Sequence, residues 1–439
     1  VQSIKKQAMW LFSATCFSAV LQIIQLGVVA RTLTTKELGI VAIINSILSI
    51  AMVLQDMGMS SYLIHRQQLT SREQSTIFWV NAMLGAITAA LLVLIALPIS
   101  WFYKIPELSA LITLTSLNFL ILGLLSQYQA HYIKAKRAIL LSRIEMFAKL
   151  ISVAFTIALL YFTPLKASAI ILGLFFNAVI RFLCMLWYAD KDWHPTFEFS
   201  YDTFKAALRY GSFQLGSQII NQLRTQADSL LIGKFLGAEI LGIYSLAKDL
   251  ILQPLKLISP VINRLALPRF AERQNSHTEM INFYLRSSRI ICIISAIMFL
   301  LIGLLSPVVV RILYGANHQQ VAQLIPYMLL LGVLRPMGGL TGAISQANGK
   351  THVEFYWNII AGVIMITIMS AALFWHDIVY MAIALSFSQV AISFFVYPFF
   401  IKPIVNVAFY PYMKTWFPAT LLFIIGMLII NHWNLYIHF

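Results

Sequence analysis

The chain has 439 residues, 60% of them hydrophobic and only 11% charged, with a mean hydropathy of +0.81. A soluble domain carries about 25% charged residues, so the composition excludes an ordinary water-soluble protein and points to a polytopic α-helical membrane protein. The net charge of +15 would suggest nucleic acid in a soluble chain, but in a membrane protein it has first to be sorted by side of the bilayer.

Apolar windows of about 20 residues, long enough to span about 30 Å of hydrocarbon, recur throughout. A transmembrane barrel would show short alternating segments instead. In chain order the windows predict spans over 8–30, 39–63, 76–102, 108–131, 140–162, 167–189, 207–233, 240–263, 284–312, 321–346, 353–375, 378–400 and 415–431. No small-residue cleavage site follows the first run, which therefore reads as a span and not a signal peptide. Cys16, Cys184 and Cys292 all fall inside spans and read as packing residues. The longest polar stretches, near 190–206 and 264–283, are too small to fold as a catalytic domain.

Of the 31 Lys and Arg, 19 lie in the amino-terminal tail and even-numbered loops, and six (Arg31, Lys36, Lys104, Lys166, Lys234 and Arg311) in odd-numbered loops. This bias places the amino terminus and even loops in the cytoplasm and assigns most of the positive charge to topology and contact with anionic lipid. Nucleic acid is not required. The other six, Lys149, Arg181, Arg224, Lys248, Lys256 and Arg335, fall within spans, joined there by four acidic residues, Asp56, Glu145, Asp228 and Asp249. Arg224 and Asp228 lie one helical turn apart and can pair, as can Glu145 and Lys149. Six basic groups against four acidic ones leave a surplus that suits an anionic substrate, with Arg able to grip phosphate oxygens bidentately.

The chain also resembles itself. RTLTTKELGIV at 31–41 aligns without gaps to KFLGAEILGIY at 234–244, a shift of 203 residues that also carries Gln22 to Thr225 and Gln25 to Asp228. Six spans separate equivalent points, so the copies form a parallel repeat. The expected organisation is an N-lobe over 1–200, a C-lobe over 201–402 and an additional transmembrane segment over 403–439. Polar side chains recur at helical spacing on single faces: Thr15, Ser18, Gln22 and Gln25 in span 1, Ser46, Ser49, Asp56 and Ser60 in span 2. Gln214, Ser217, Gln218, Asn221, Thr225 and Asp228 do so in span 7, and Asp249, Gln253, Lys256, Pro260 and Asn263 in span 8. In a membrane such stripes must face a bundle interior or a water-filled cavity. Pro254, Pro260 and Pro268 punctuate span 8 and its exit, and Pro326 and Pro336 interrupt span 10, as hinges or as static shape.

DSLLIGKFLGAEILGIYSLAKDLILQPL (228–255), with Pro268 and the basic segment to Arg289, resembles the polysaccharide-transporter branch of the multidrug/oligosaccharidyl-lipid/polysaccharide (MOP) flippase superfamily. That branch includes Wzx-type flippases of O-antigen and exopolysaccharide repeat units. RTLTTKELGIVAIINSIL, FWVNAMLGAITAALLVLIALPISWFY (78–103) and QANGK (346–350) are similar to it too. The resemblance implies an all-α, MATE/MurJ-like fold of about 13–14 transmembrane helices, in two six-helix lobes flanking a central cavity that opens alternately to either side. It implies flipping of undecaprenyl-diphosphate-linked oligosaccharide across the bacterial cytoplasmic membrane, coupled to an ion gradient or membrane potential, beside a polysaccharide polymerase and chain-length machinery.

On this reading Arg224, Lys248, Lys256 and Arg335 contact diphosphate or sugar, and Arg31 and Lys234 lie near the outer mouth. Gln25, Gln218 and Asn221 line the sugar path, while Asp228, Asp249, Asp56, Glu145 and Lys149 serve ion coupling or charge pairing. A lipid II flippase is the nearest alternative. A drug/cation antiporter would favour an acidic or aromatic pocket without the basic surplus. A membrane-embedded polysaccharide enzyme needs carboxylates or a nucleophile in a sizeable extramembrane site. GKT at 349–351 lacks the first glycine of a phosphate-binding loop, since position 344 is Ile344. His65, His131 and His352 are isolated, so no metal or cofactor is expected.

Overall fold

The computed structural model of the chain describes residues 4–57, 59, 70–134, 137–188, 195–273, 276–348 and 351–432. Ser60, His65, Gly349 and Lys350, named above, lie outside that set, as do Arg66, Lys136 and Lys191, three of the basic residues counted in the even-numbered loops. All regular elements among the described residues are helical. The first are α1 (Ile4–Thr32), α2 (Thr35–Asp56), α3 (Ser71–Tyr103), α4 (Glu107–Lys134), α5 (Ala138–Phe162) and α6 (Ala167–Trp187). There follow α7 (Tyr201–Phe235), α8 (Ala238–Ala271), α9 (His277–Tyr314), α10 (Gln319–Leu334) and α11 (Met337–Ala347). The last are α12 (Thr351–Ala372), α13 (Ile378–Val396), a π-turn at Tyr397–Ile401, α14 (Lys402–Val405) and α15 (Phe409–His432).

Eleven helical stretches among the described residues are long and apolar enough to cross a membrane, and the protein is a multi-pass membrane protein. The sequence windows number thirteen. The two outside the eleven are spans 7 and 8, which form the long helices α7 and α8 but carry the charged stripes. In span 10 the chain breaks at Arg335–Pro336, between α10 and α11, because Pro336 supplies no amide hydrogen for the ladder. Pro326 is accommodated inside α10, and α8 runs unbroken past Pro254, Pro260 and Pro268.

The chain divides into two compact units, Val1–Leu223 and Arg224–Phe439, with the division inside α7. In the first, α3 packs on α4, α4 on α2 and α6, and α5 on α1 and α6. In the second, α9 packs on α10, α10 on α8 and α13, and α12 on α13, while α15 lies against α9. The ends of the first helical hairpin in each also match in sequence. Thr32 closes α1 and Thr35 opens α2; Phe235 closes α7 and Ala238 opens α8, each 203 residues later.

Local chemistry fixes these turns. Thr34 caps α2 through a reciprocal pair, the Glu37 amide donating to Thr34 Oγ1 (3.3 Å) and the Thr34 amide to Glu37 Oε2 (2.9 Å), which satisfies two amides that no helical carbonyl reaches. Thr70 and Glu73 repeat the device at α3. Glu37 also meets Lys166 Nζ at 2.7 Å, tying α2 to the α5–α6 link; this bond holds the lysine above its usual pKa. Between α7 and α8 the turn passes through Gly237 at φ +91°, a backbone region that side chains resist. Residues 195–200 run along the start of α3, where Arg72 donates to Phe199 O (2.8 Å), Trp79 Nε1 to Thr196 O (2.9 Å) and the Ser200 amide to Thr76 Oγ1 (2.9 Å).

Helices in lipid gain adhesion from close packing more than from hydrophobic exclusion, which favours small residues at contacts. The α3–α4 contact shows this. A Cβ on Gly85 would lie 2.5 Å from Phe119 O, and one on Gly123 would lie 2.7 Å from Asn81 O. Gly85→Ala is therefore expected to destabilise the protein by about 1–3 kcal/mol through overpacking. Gly338→Ala, where a Cβ meets nothing within 4 Å, should be neutral or stabilising by up to about 1 kcal/mol. Thermal unfolding in detergent compares the two; equal effects would contradict the packing account.

Candidate functional site

The α7–α8 hairpin brings two carboxylates and several cations together in the second unit. Residues roughly equidistant from the turn at Gly237 face each other across an antiparallel pair, and Asp228, Tyr244 and Lys248 occupy such positions. Asp228 is fully buried. Lys248 Nζ reaches both its oxygens, at 2.7 Å and 2.8 Å. The Tyr244 hydroxyl donates to Oδ2 at 2.6 Å and the Ser229 amide to Oδ1 at 2.8 Å. Lys248 also donates to Ser229 Oγ (3.3 Å) and Thr225 O (3.4 Å). This partnering corrects the expectation that Asp228 pairs with Arg224 one turn away, because the facing helix supplies a better-placed ammonium. It also leaves Asp228 with its acceptor capacity used by donors of the protein itself, so a coupling cation would have to displace Lys248.

Around this pair the charge stays positive. Arg335, at the α10–α11 break, lies within electrostatic reach of Asp228 and Tyr244, and Arg224 lies close enough to Arg335 for the two to repel. The aliphatic stem of Arg224 runs beside Gly362 of α12, with Cβ and Cγ 3.8 Å from where a Cβ would sit. Further along α8, half-buried Asp249 is in the field of both Lys248 and exposed Lys256. The group thus holds four cations, Arg224, Lys248, Lys256 and Arg335, and two carboxylates, Asp228 and Asp249. Paired basic groups held at low dielectric beside donors of fixed geometry can bind a multiply charged anion.

The first unit holds a smaller set. Lys149 Nζ on α5 donates to Gln22 Oε1 and Gln25 Oε1 on α1, both at 3.2 Å. Glu145 pairs with Arg181 of α6 at 3.2 Å, and Arg181 also donates to Gln129 Oε1 at 3.1 Å. Here too the helical spacing of Glu145 and Lys149 suggested a same-helix pair, and the structure gives a cross-helix one. Gln25 and Asp228, 203 residues apart, each accept from a lysine on another helix.

Of the remaining expected site residues, Gln218, Asn221 and Lys234 share α7 with Arg224 and Asp228. Arg31 and Lys234 stand in the last turns of α1 and α7, where a cation complements the helix dipole. Gln218 and Asn221 are half-buried on α7, and Asp56 ends α2 half-buried. Sequence reasoning missed Tyr244, Ser229, Gln129 and the role of Arg181. Tyr244 was recoverable from its position opposite Asp228 across the turn; the others carry no periodic signal.

Residues 28–323 match a family described as polysaccharide biosynthesis protein. The chain is 59% identical over 379 residues to the amylovoran biosynthesis protein AmsL of Erwinia amylovora, covering 86% of this chain and 98% of that one. It is 27% identical over 356 residues to the lipopolysaccharide biosynthesis protein WzxC of Escherichia coli (strain K12), covering 80% and 71%. Its fold is similar to that of a lipid II flippase MurJ structure solved in an inward closed conformation, with a TM-score of 0.75 over 94% of this chain and 92% of that one at 13% identity.

Breaking a buried ion pair from one side typically costs about 3–5 kcal/mol, because the other charge stays buried. Asp228→Asn and Lys248→Met should each destabilise by that order, Tyr244→Phe by about 1–3 kcal/mol. The Asp228→Asn/Lys248→Met double variant should lose less than the sum of the singles. A double-mutant cycle by thermal unfolding checks this; strict additivity would show that the two groups do not interact.

Proposed function

The chain belongs to the polysaccharide biosynthesis protein family, within the MOP superfamily of flippases, and on that premise we propose the cargo, direction and chemistry of its transport. The cargo is an undecaprenyl-diphosphate-linked oligosaccharide repeat unit for O-antigen, capsule or exopolysaccharide synthesis. It is flipped from the cytoplasmic to the periplasmic leaflet of the bacterial cytoplasmic membrane, with the amino terminus of the protein in the cytoplasm. The protein acts as a transporter and not an enzyme, by alternating access drawing on an ion gradient or the membrane potential, and hands its product to a polymerase with its chain-length machinery.

The observation that carries this reading is the basic surplus on α7, α8 and the α10–α11 break. A charge at mid-bilayer depth costs roughly 2.5–3.5 kcal/mol on insertion scales, and one carboxylate, Asp228, is already satisfied within the protein. Retaining Arg224 and Arg335 beside it has a ready function if a diphosphate is their transient counter-ion. Lys248 can exchange Asp228 for phosphate oxygens during the cycle, and the neutral amides Gln22 and Gln25, which already orient Lys149, suit sugar hydroxyls. The matched hairpin ends, 203 residues apart, and the like packing within each unit support the parallel-repeat reading on which rocking of two lobes depends.

A drug/cation antiporter would have no use for this surplus, and lipid II differs from the proposed cargo in its sugar-peptide head. Vesicles containing the purified protein should therefore translocate a fluorescent undecaprenyl-diphosphate oligosaccharide in preference to lipid II or a cationic dye. Charge-assisted hydrogen bonds contribute about 1.5–3 kcal/mol, so Arg224→Ala and Arg335→Ala should each slow translocation by about 10- to 100-fold at unchanged protein level. Wild-type rates in both variants, or dye export dependent on Asp228, would overturn the proposal.

A further inference from the structure

The second unit contains a cavity of about 1430 Å³ walled by α8, α9, α10, α13 and α15. It is larger than typical small-molecule pockets of about 300–1,000 Å³. It is separate in sequence from the charged group just described, sharing none of its residues. Its lining changes along its depth. Five polar members, Arg311, Gln319, Gln320, Gln323 and Asn431, stand at helix ends: the last turn of α9, the first turns of α10 and the end of α15. Most deeper members, such as Leu330, Phe387, Val390 and Ile424, are apolar; Ser386 and Tyr327 also lie there, the Ser386 hydroxyl being spent on Tyr327 O, and no lining residue is acidic.

The depth can be read from the helices. On α13 the lining runs from Ile378 to Val390, about 18 Å at 1.5 Å per residue. Half of a hydrocarbon core of about 30 Å is close to that. The cavity is one leaflet deep, apolar where acyl chains lie and polar at the level of lipid headgroups. Arg311, an exposed side chain, and the amino-terminal amides of the 16-residue α10 both favour negative charge at the polar end.

We infer that this cavity is a site for a resident anionic phospholipid, its phosphate held by Arg311 and the glutamines of α10 and its acyl chains lying against α13 and α15. Charge complementarity selects an anionic over a zwitterionic headgroup, and the shape selects a diacyl lipid of one leaflet. The lipid is distinct from the transported cargo. It wedges α15 against the rest of the second unit, filling a space that would otherwise leave apolar side chains without partners.

Native mass spectrometry of the full chain, released from micelles doped with phosphatidylglycerol, phosphatidylethanolamine or undecaprenyl phosphate, tests this without transport. Phosphatidylglycerol should be retained at least about tenfold more tightly than phosphatidylethanolamine. Arg311→Gln should erase that preference and Arg311→Lys should keep most of it, and Val390→Trp should lower retention of both phospholipids by filling the deep end. Equal retention of the two phospholipids, undiminished preference in Arg311→Gln, or tighter retention of undecaprenyl phosphate than of phosphatidylglycerol would each overturn the assignment. Because retention is read with Arg224 and Arg335 intact, such a failure leaves the translocation proposal standing, and a failure of translocation leaves the lipid site standing.

Discussion

A charged group on a helix within hydrocarbon has to be answered by another group of the protein or by water, and the Asp228–Lys248 pair meets that demand most fully here. The lysine spans both carboxylate oxygens, and Tyr244 and the Ser229 amide occupy what remains. The pair depends on the tight turn at Gly237, which folds α8 back along α7 so that side chains far apart in sequence meet. Once Asp228 is neutralised in this way, the arginines at 224 and 335 define the character of the region. The proposed chemistry of the protein follows from that order of events: the internal pair sets the helices, and the surplus selects the cargo.

The first unit solves the same problem with less charge. Lys149 is oriented by two glutamine amides, and Glu145 is shared with Arg181. Amides solvate a cation without cancelling it, so a basic character persists there as well. On the proposed parallel repeat, Gln25 and Asp228 stand at equivalent points of the 203-residue shift, a neutral acceptor in the first unit and a carboxylate in the second. The second unit thus holds a buried ion pair where the first has an amide contact, and it also holds more cations beside it.

Much of the fold was legible because hydrocarbon imposes simple rules. Apolar length marked the membrane helices, and Pro336 marked the break in span 10. Spans 7 and 8, predicted as ordinary spans, fall outside the eleven apolar stretches because of their charged stripes. Pairing was less legible. Spacing along one helix placed Arg224 beside Asp228 and Lys149 beside Glu145, but periodicity says nothing about what a neighbouring helix presents. Lys248 and Arg181 came from other helices and formed the ion pairs. Tyr244 went unnoticed because an aromatic residue in an apolar run looks like packing until its hydroxyl has a carboxylate to meet. The cavity beside α15 was also invisible, since it is assembled from five helices whose lining residues share no motif.

The central claim is that the basic surplus of the second unit recognises the two phosphates of a lipid-linked sugar, and substrate charge tests it most directly. Binding of one oligosaccharide carried on undecaprenyl diphosphate or on undecaprenyl monophosphate can be measured on the purified protein over a range of salt. The account expects the diphosphate form to bind about tenfold or more tightly, as an added charge-assisted contact implies, with the advantage only weakly screened by salt because Arg224 and Arg335 are half-buried. Equal affinity for the two forms, or a preference that vanishes at moderate ionic strength, would contradict it.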